Sequence, residues 1–233
     1  MSKLFSSNRV IALEHVDFDF ERTRRIGLPE AVFCEGKPIA VLLNLLEEFA
    51  SCSHPSILFT RLSESVFRTV PESIQKAYDY DPISCTAFTH PLETTVRGSV
   101  AVVSAGSADG PVTWEVARTL QYLGVPFKVF EDCGVAGLWR IQKHLPEINR
   151  HDVIVVVAGL EAALTTILGG LSSHPIIGVP TSVGYGVCEG GKTALHSMLA
   201  CCSPGITVMN IDNGYGAACA ASRILHTFKR ISS

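Results

Sequence analysis

From Ser99 onward the chain alternates nearly continuous apolar runs with helix-length stretches of mixed character, and most of the runs end in a glycine-rich turn. The runs Ser99–Ser104, Val125–Phe130, Val153–Ala158, Ile176–Val179 and Ile206–Met209 predict strands. Between them Pro111–Leu123, Gly137–Leu145, Glu161–Leu168 and Gly191–Cys202 predict crossover helices, and Ala217–Phe228 predicts a closing helix. Pro111 suits a first helical turn, where its missing N–H costs nothing. Strands that are apolar on both faces and separated by helices belong to a parallel sheet covered on both sides. The first 85 residues are less regular: Ala31–Phe33 and Ile57–Thr60 predict strands around a helix at Pro38–Phe49. Pro71, Pro82 and Pro91 mark Val70–Glu93 as a linker. The expectation is an α/β chain, with a small N-terminal α/β unit over residues 1–85 and a three-layer domain around a central parallel sheet over residues 86–233.

Composition narrows the function. A hydrophobic content of 47% with 18% charged residues predicts either elements buried on both faces or surface hidden in a homo-oligomer. The net charge of -3, without Lys/Arg clusters, offers no footprint for nucleic acid. Val153–Gly159, the most apolar segment, is far shorter than the roughly 20 residues that span a bilayer, so no membrane contact is expected. Met1–Phe5 soon gives way to charged residues without an apolar leader, which predicts a cytoplasmic protein. The eight cysteines lack C-x-x-C pairs and Cys/His spacing, so reduced thiols and no metal site are expected.

In parallel sheets, ligands bind beyond the carboxyl ends of the strands, which singles out five loops. Ser104–Gly110 pairs small residues with Asp109 ahead of a helix; it is a phosphate cradle, or Ser107 or Asp109 merely caps the helix. The first loop lacks the G-x-G-x-x-G of dinucleotide folds, and Asp132–Gly137 offers only a weak substitute in its two glycines. Glu161 opens a predicted helix, as a base toward water or simply as a favourable first-turn acid. Pro180–Gly186 is a second anion site or an ordinary glycine-rich loop, and Asn210–Gly216 completes the set. Cys201 and Cys202 close a predicted helix just before Ser203-Pro204-Gly205. A thiolate there acts as a nucleophile if positive charge lowers its pKa, and otherwise fills space. His196, on the same helix, faces elsewhere.

Taken together, Val102–Asp109, Asp132–Leu138, Val153–Glu161, Ile177–Gly186 and Val208–Ala217 resemble the LarB family, in the right order. Asp19, Arg25–Lys37 and Leu58–Arg61 extend the likeness through the N-terminal part. The C-terminal half is similar to PurE-type aminoimidazole ribonucleotide carboxylases, which form octamers. Their Ser-Ala-His-Arg-Thr-Pro turn is replaced here by Glu131–Gly137, which argues against the purine reaction.

The resemblance implies a PurE-like domain that makes pyridinium-3,5-biscarboxylic acid mononucleotide, the first step toward the nickel-pincer nucleotide cofactor. The substrate is nicotinic acid adenine dinucleotide, carboxylated at C5 of its ring from CO2 or bicarbonate and hydrolysed at its phosphoanhydride to release AMP. No tightly bound cofactor is implied, and Mg²⁺ is left open. By the same likeness Cys202 is the nucleophile that adds at ring C4, Glu161 helps water attack the anhydride, and Asp109, beside Ser107, takes the ring proton. Ser104, Gly106, Ser107, Gly134, Gly137, Gly159, Thr181, Ser182, Gly184, Tyr185, Gly186, Asp212 and Asn213 are the expected substrate-binding positions. Glu189 and Lys192 depart from a stretch that is usually neutral in the family, while Arg25, Lys37 and Arg61 are cations able to meet an anionic group. The alternatives are a PurE-type carboxylase or mutase, and a non-catalytic nucleotide-binding protein that keeps the fold.

Overall fold

A computed structural model describes residues 18–51, 55–94 and 96–231. Met1–Phe5, on which the leader expectation rests, lie outside the described residues. The first part contains α1 (Arg22–Ile26), β1 (Ala31–Phe33), α2 (Ile39–Phe49), β2 (Leu58–Thr60), α3 (Glu64–Phe67), α4 (Glu72–Gln75), β3 (Asp79–Asp81) and β4 (Thr86–Phe88). Its sheet runs β1-β2-β4-β3, with β1 parallel to β2 and the other pairs antiparallel. The apolar face of α2 (Leu42, Leu45, Leu46, Phe49) packs with Val32 and Phe59 into a separate small core.

The stretch expected to be a linker is folded. Pro71 stands immediately before α4 and Pro82 lies in the β3–β4 turn, positions where a fixed φ and a missing N–H help rather than break structure. Asp81 holds that turn by accepting the Ser84 N–H at 2.8 Å. The small sheet therefore continues past residue 85 to Phe88.

The second part contains β5 (Val100–Ser104), α5 (Gly110–Tyr122), β6 (Phe127–Phe130), α6 (Trp139–Ile148), β7 (Val153–Ala158), α7 (Ala163–Leu171), β8 (Ile176–Pro180), α8 (Lys192–Leu199), β9 (Thr207–Val208) and α9 (Gly214–Ile231). The strands form one parallel sheet in the order β6-β5-β7-β8-β9. Strand side chains alternate between two cores, which explains the unbroken apolar runs. Val100, Val102, Val153, Val155 and Val157 meet α5 and α9, while Ala101, Val103, Ile154 and Val156 meet α6 and α7. Because β6 and β7 flank β5 on opposite sides, the crossovers reverse direction between β5 and β7. That reversal opens a crevice at the strands' carboxyl ends.

Helix α5 joins the two parts. Arg118 donates to the Asp79 carboxylate at 2.8 Å, to its carbonyl at 2.7 Å and to Thr86 Oγ1 at 3.3 Å, and its guanidinium stacks 4.3 Å from the Phe88 ring centre. Tyr122 donates to the Ser56 carbonyl at 2.9 Å, and Thr60 donates to the buried Glu115 carboxylate.

Candidate functional site

Two adjoining cavities occupy the carboxyl end of the parallel sheet. The smaller, about 340 Å³, fills the crevice between β5 and β7 and is lined by Gly106, Ser107, Asp109, Gly134, Gly159 and Glu161 among others. The larger, about 600 Å³, lies between the two parts of the chain, with Lys37 and Arg61 on one wall and Glu115, Ser182 and Asp212 on the other. Ala108 and Val183 line both.

Backbone strain concentrates here. Among the described residues, the non-glycine positions with left-handed φ are Arg61, Cys85, Asp132, Leu160, Ala162 and Asp212. Arg61, Cys85 and Asp212 line the larger cavity, and Asp132, Leu160 and Ala162 line the smaller. Such conformations each cost on the order of 1–3 kcal/mol and persist at functional sites.

Asp109 forms the floor of the small cavity and is 4% exposed. Its Oδ2 accepts the Gly106 N–H at 2.9 Å and its Oδ1 accepts the Thr181 hydroxyl at 2.7 Å. Burial raises its pKa above the usual carboxylate range, opposed by these donors and the Gly159 N–H. A buried carboxyl with a raised pKa, facing a cavity, is suited to accept and return a proton. Close approach fixes the loops around it: a Cβ on Gly159 would strike the Val183 carbonyl oxygen and come within 2.6 Å of Thr181 Oγ1.

Residues 99–231 match the AIR carboxylase family profile, and residues 10–91 match the LarB/PurE-like N-terminal domain. The chain belongs to the LarB family. An uncharacterized protein of Methanocaldococcus jannaschii is 34% identical over 226 residues, covering 91% of this chain and 86% of that protein. The N5-carboxyaminoimidazole ribonucleotide mutase of the same organism is 30% identical over 131 residues, covering 54% of this chain and 78% of the mutase. A crystal structure of a Treponema denticola PurE2 variant is similar at 19% identity and a TM-score of 0.46, covering 56% of this chain and 80% of that one.

In this LarB-family chain the expected site residues separate into groups. Gly106, Ser107, Asp109, Gly134, Gly159 and Glu161 converge on the small cavity, while Ser182 and Asp212 face the large one. Ser104 and Thr181 are buried behind them, and the Ser182 N–H donates to Asp212 Oδ1 at 2.8 Å. Gly137, Gly184, Tyr185, Gly186 and Asn213 line neither cavity. Gly137 instead packs under Trp139 and Arg140, and Asn213 accepts the Gly216 N–H at the start of α9. Glu161 does not open a helix: it sits in a turn between left-handed Leu160 and Ala162, with α7 starting at Ala163. Its placement owes more to those two dihedrals than to a helix dipole.

Cys202 does not join the other catalytic candidates within one chain. Helix α8 starts beside the Thr181 carbonyl, where Gly191 packs, and its eight residues carry the chain about 12 Å back along the sheet before Cys202. The cysteine is exposed, precedes β9 at the strands' amino side and lines neither cavity. Its neighbour Cys201 is better held, with Thr166 Oγ1 at 3.1 Å and the Ser203 N–H at 3.3 Å from its sulfur. Burial pushes the Cys201 thiol up, but these hydrogen bonds outweigh it and the pKa is lowered.

Arg25 is paired with Asp19 at 2.5 Å on the surface, away from both cavities. Glu115, Cys34 and Cys85 line the larger cavity without having been singled out by sequence, and Asp132, named there only as the start of a loop, lines the smaller. Among the described residues no three His, Cys, Asp or Glu side chains converge as a metal site. No described helix is long and apolar enough to cross a membrane.

Proposed function

We propose that this chain carboxylates the pyridinium ring of nicotinic acid adenine dinucleotide at C5 and hydrolyses its phosphoanhydride, releasing AMP and pyridinium-3,5-biscarboxylic acid mononucleotide. PurE-related domains support a carboxylase-type activity. The observation that carries the finer reading is Asp109, a desolvated carboxyl at the floor of a crevice rimmed by Ser107 and Glu161.

An electron-poor pyridinium does not attack CO2. A thiolate that adds at C4 places an electron pair in the ring, and C5 then forms the new bond to CO2 carbon. Asp109 takes the C5 proton, and the pair left behind restores the ring double bond. Departure of the thiolate from C4 regenerates the pyridinium. The sequence exchanges a proton for a carboxylate, so no oxidant is needed. Glu161, exposed at the cavity mouth, orients or deprotonates the water that cleaves the anhydride. If Mg²⁺ participates, the substrate phosphates supply most of its ligands, given the lack of a converging cluster among the described residues.

Cys202 serves as the thiolate only if a second copy presents it to the crevice, which requires a homo-oligomer such as a PurE-like octamer. Exposed apolar side chains support contact between copies: Tyr185 and Val187 are 82% and 90% exposed beside the carboxyl end, and Leu199 is 66% exposed close to Cys202.

The test is incubation of the full chain with nicotinic acid adenine dinucleotide, Mg²⁺ and bicarbonate. AMP and a mononucleotide heavier by one carboxyl group are expected. Absence of both refutes the reading, and turnover of an aminoimidazole ribonucleotide instead assigns the chain to the purine-type reaction.

A further inference from the structure

We propose that Cys201 and Cys202 form a thiol-oxidation site, at which a hydroperoxide converts the two neighbouring thiols into a reversible vicinal disulfide. The oxidation stands on the geometry of the pair. That its closure stops carboxylation rests on the functional reading above, in which Cys202 supplies the thiolate.

The two sulfurs have unlike surroundings although the residues are adjacent. Helix α8 ends at Leu199 and β9 starts at Thr207, so both cysteines lie in the turn between them, along with Pro204 and left-handed Gly205. Cys201 is partly buried against α7: its sulfur lies 3.1 Å from the Thr166 hydroxyl and accepts the Ser203 N–H at 3.3 Å. Ser203 Oγ donates to the Thr166 carbonyl at 2.8 Å, which fastens the turn to that helix. A thiolate carries no hydrogen, so the Thr166 hydroxyl and the Ser203 N–H both donate to it. Cys202, by contrast, is exposed.

This setting separates Cys201 from the cysteines that only fill space. Burial pushes the thiols of Cys34, Cys85, Cys133 and Cys219 up, and thiols so placed are inert. At Cys201 burial also pushes upward, but the donors from Thr166 and Ser203 outweigh it and the pKa is lowered. A sulfur kept for packing needs no such donors. A stabilised thiolate with a second, accessible thiol next to it is the arrangement that redox-sensing cysteines use.

The steps balance. The Cys201 thiolate attacks one oxygen of the hydroperoxide, so an S–O bond forms and the O–O bond breaks. The other oxygen leaves and takes a proton from water, and the sulfur becomes a sulfenic acid. The Cys202 thiol then attacks that sulfur: the S–S bond forms, the S–O bond breaks, and the oxygen leaves as water with the Cys202 proton. The two thiols together lose two electrons, and the peroxide gains them. Consecutive Cα atoms lie about 3.8 Å apart, short of the roughly 4.4–6.8 Å usual across a disulfide, so the ring is strained and a dithiol reopens it readily.

The experiment treats the reduced full chain with hydrogen peroxide, blocks the remaining free thiols and digests with chymotrypsin. The fragment between Leu199 and Tyr215 contains no cysteine other than this pair. Its mass is expected to fall by two hydrogen atoms, with neither thiol blocked, and to return after treatment with dithiothreitol. In Cys202→Ser, dimedone is expected to label Cys201 as the sulfenic acid, and in Cys201→Ser the label on Cys202 should be far weaker. Thr166→Val keeps both sulfurs and is expected to slow closure by about threefold, because a smaller thiolate fraction is partly offset by a more nucleophilic sulfur. Two free thiols after peroxide, a sulfinic acid at Cys201, or a disulfide from either residue to any other cysteine overturns the proposal. Closure of the pair with carboxylation still at its untreated rate keeps this proposal and removes Cys202 from the functional reading. A chain that carboxylates but never closes the pair does the reverse.

Discussion

The hydroxyl of Thr181, just beyond β8, donates a 2.7 Å hydrogen bond to Oδ1 of Asp109, at the entry to α5, and so ties the edge of the glycine-rich loop to the floor of the crevice. Asp109 is thereby aimed without being fully neutralised by its surroundings, because burial still holds its pKa above the usual range. Replacing the base is expected to lower kcat/KM by about 10²–10⁴ in Asp109→Asn. Wild-type rates in that variant would remove Asp109 from the reaction.

The same group makes a stability prediction whose sign differs from the catalytic one. The folded pKa is raised, so the stability linked to Asp109 is fully present below its unfolded value of about 3.9 and is lost as pH rises through the folded value. Asp109→Asn removes that loss. The variant is expected to show a flatter rise in thermal midpoint on acidification across that window, and to match or exceed the wild type at pH 7. Thr181→Val removes a donor that lowers the pKa, so the acid limb of the pH–rate profile should move to higher pH. An unmoved limb would mean that Asp109 is not the group titrating.

How much of this was legible in the sequence follows from where the information lies. The parallel sheet was readable because strands buried on both faces must be apolar throughout, as Val153–Ala158 is. The crevice loops were readable for the same reason, since each directly follows such a strand. The hairpin formed by β3 and β4 was not, because three-residue strands carry no periodicity and Pro71 and Pro82 read as breakers until their turn positions are known. The large cavity was equally hidden. It is made of residues from Cys34 to Asp212 brought together by the small sheet docking on α5, and no local pattern encodes that docking.

Gly159 tests whether loop spacing controls the crevice. A methyl group there would collide with the Val183 carbonyl oxygen and with Thr181 Oγ1, neither of which is the free end of a flexible side chain. Gly159→Ala is expected to cost about 1–3 kcal/mol in urea unfolding and to impair activity beyond that loss, because the displaced loops carry Thr181 and Glu161. Wild-type stability and activity would show that the loops have slack.

Arg118 measures how firmly the two parts are joined. It is 7% exposed and donates to Asp79, Thr86 and Gln121 while stacking on Phe88. Asp79 can return to water when the arginine is removed, so the loss is set by the hydrogen bonds and the stacking rather than by a stranded charge. Arg118→Met is expected to lower stability in urea unfolding by about 3 kcal/mol. Wild-type stability in that variant would show that the joint does not depend on Arg118.

Cys202 supplies the sharpest test of assembly. Within one chain α8 carries it away from the crevice, so a nucleophilic role demands that a neighbouring copy bring it to Asp109. Cys202→Ala is expected to be inactive alone, and Asp109→Asn to keep about 1% of the wild-type rate or less. If sites are shared, co-expressed mixtures of the two should recover roughly a quarter of wild-type activity, the fraction in which random assembly pairs an intact Asp109 with an intact Cys202. Cys201→Ala must be run beside them, because its lowered pKa makes Cys201 the rival thiol. Activity that survives Cys202→Ala and vanishes in Cys201→Ala transfers the role to Cys201. Two inactive variants that stay inactive when mixed would refute a shared site, since neither thiol reaches the crevice within its own chain.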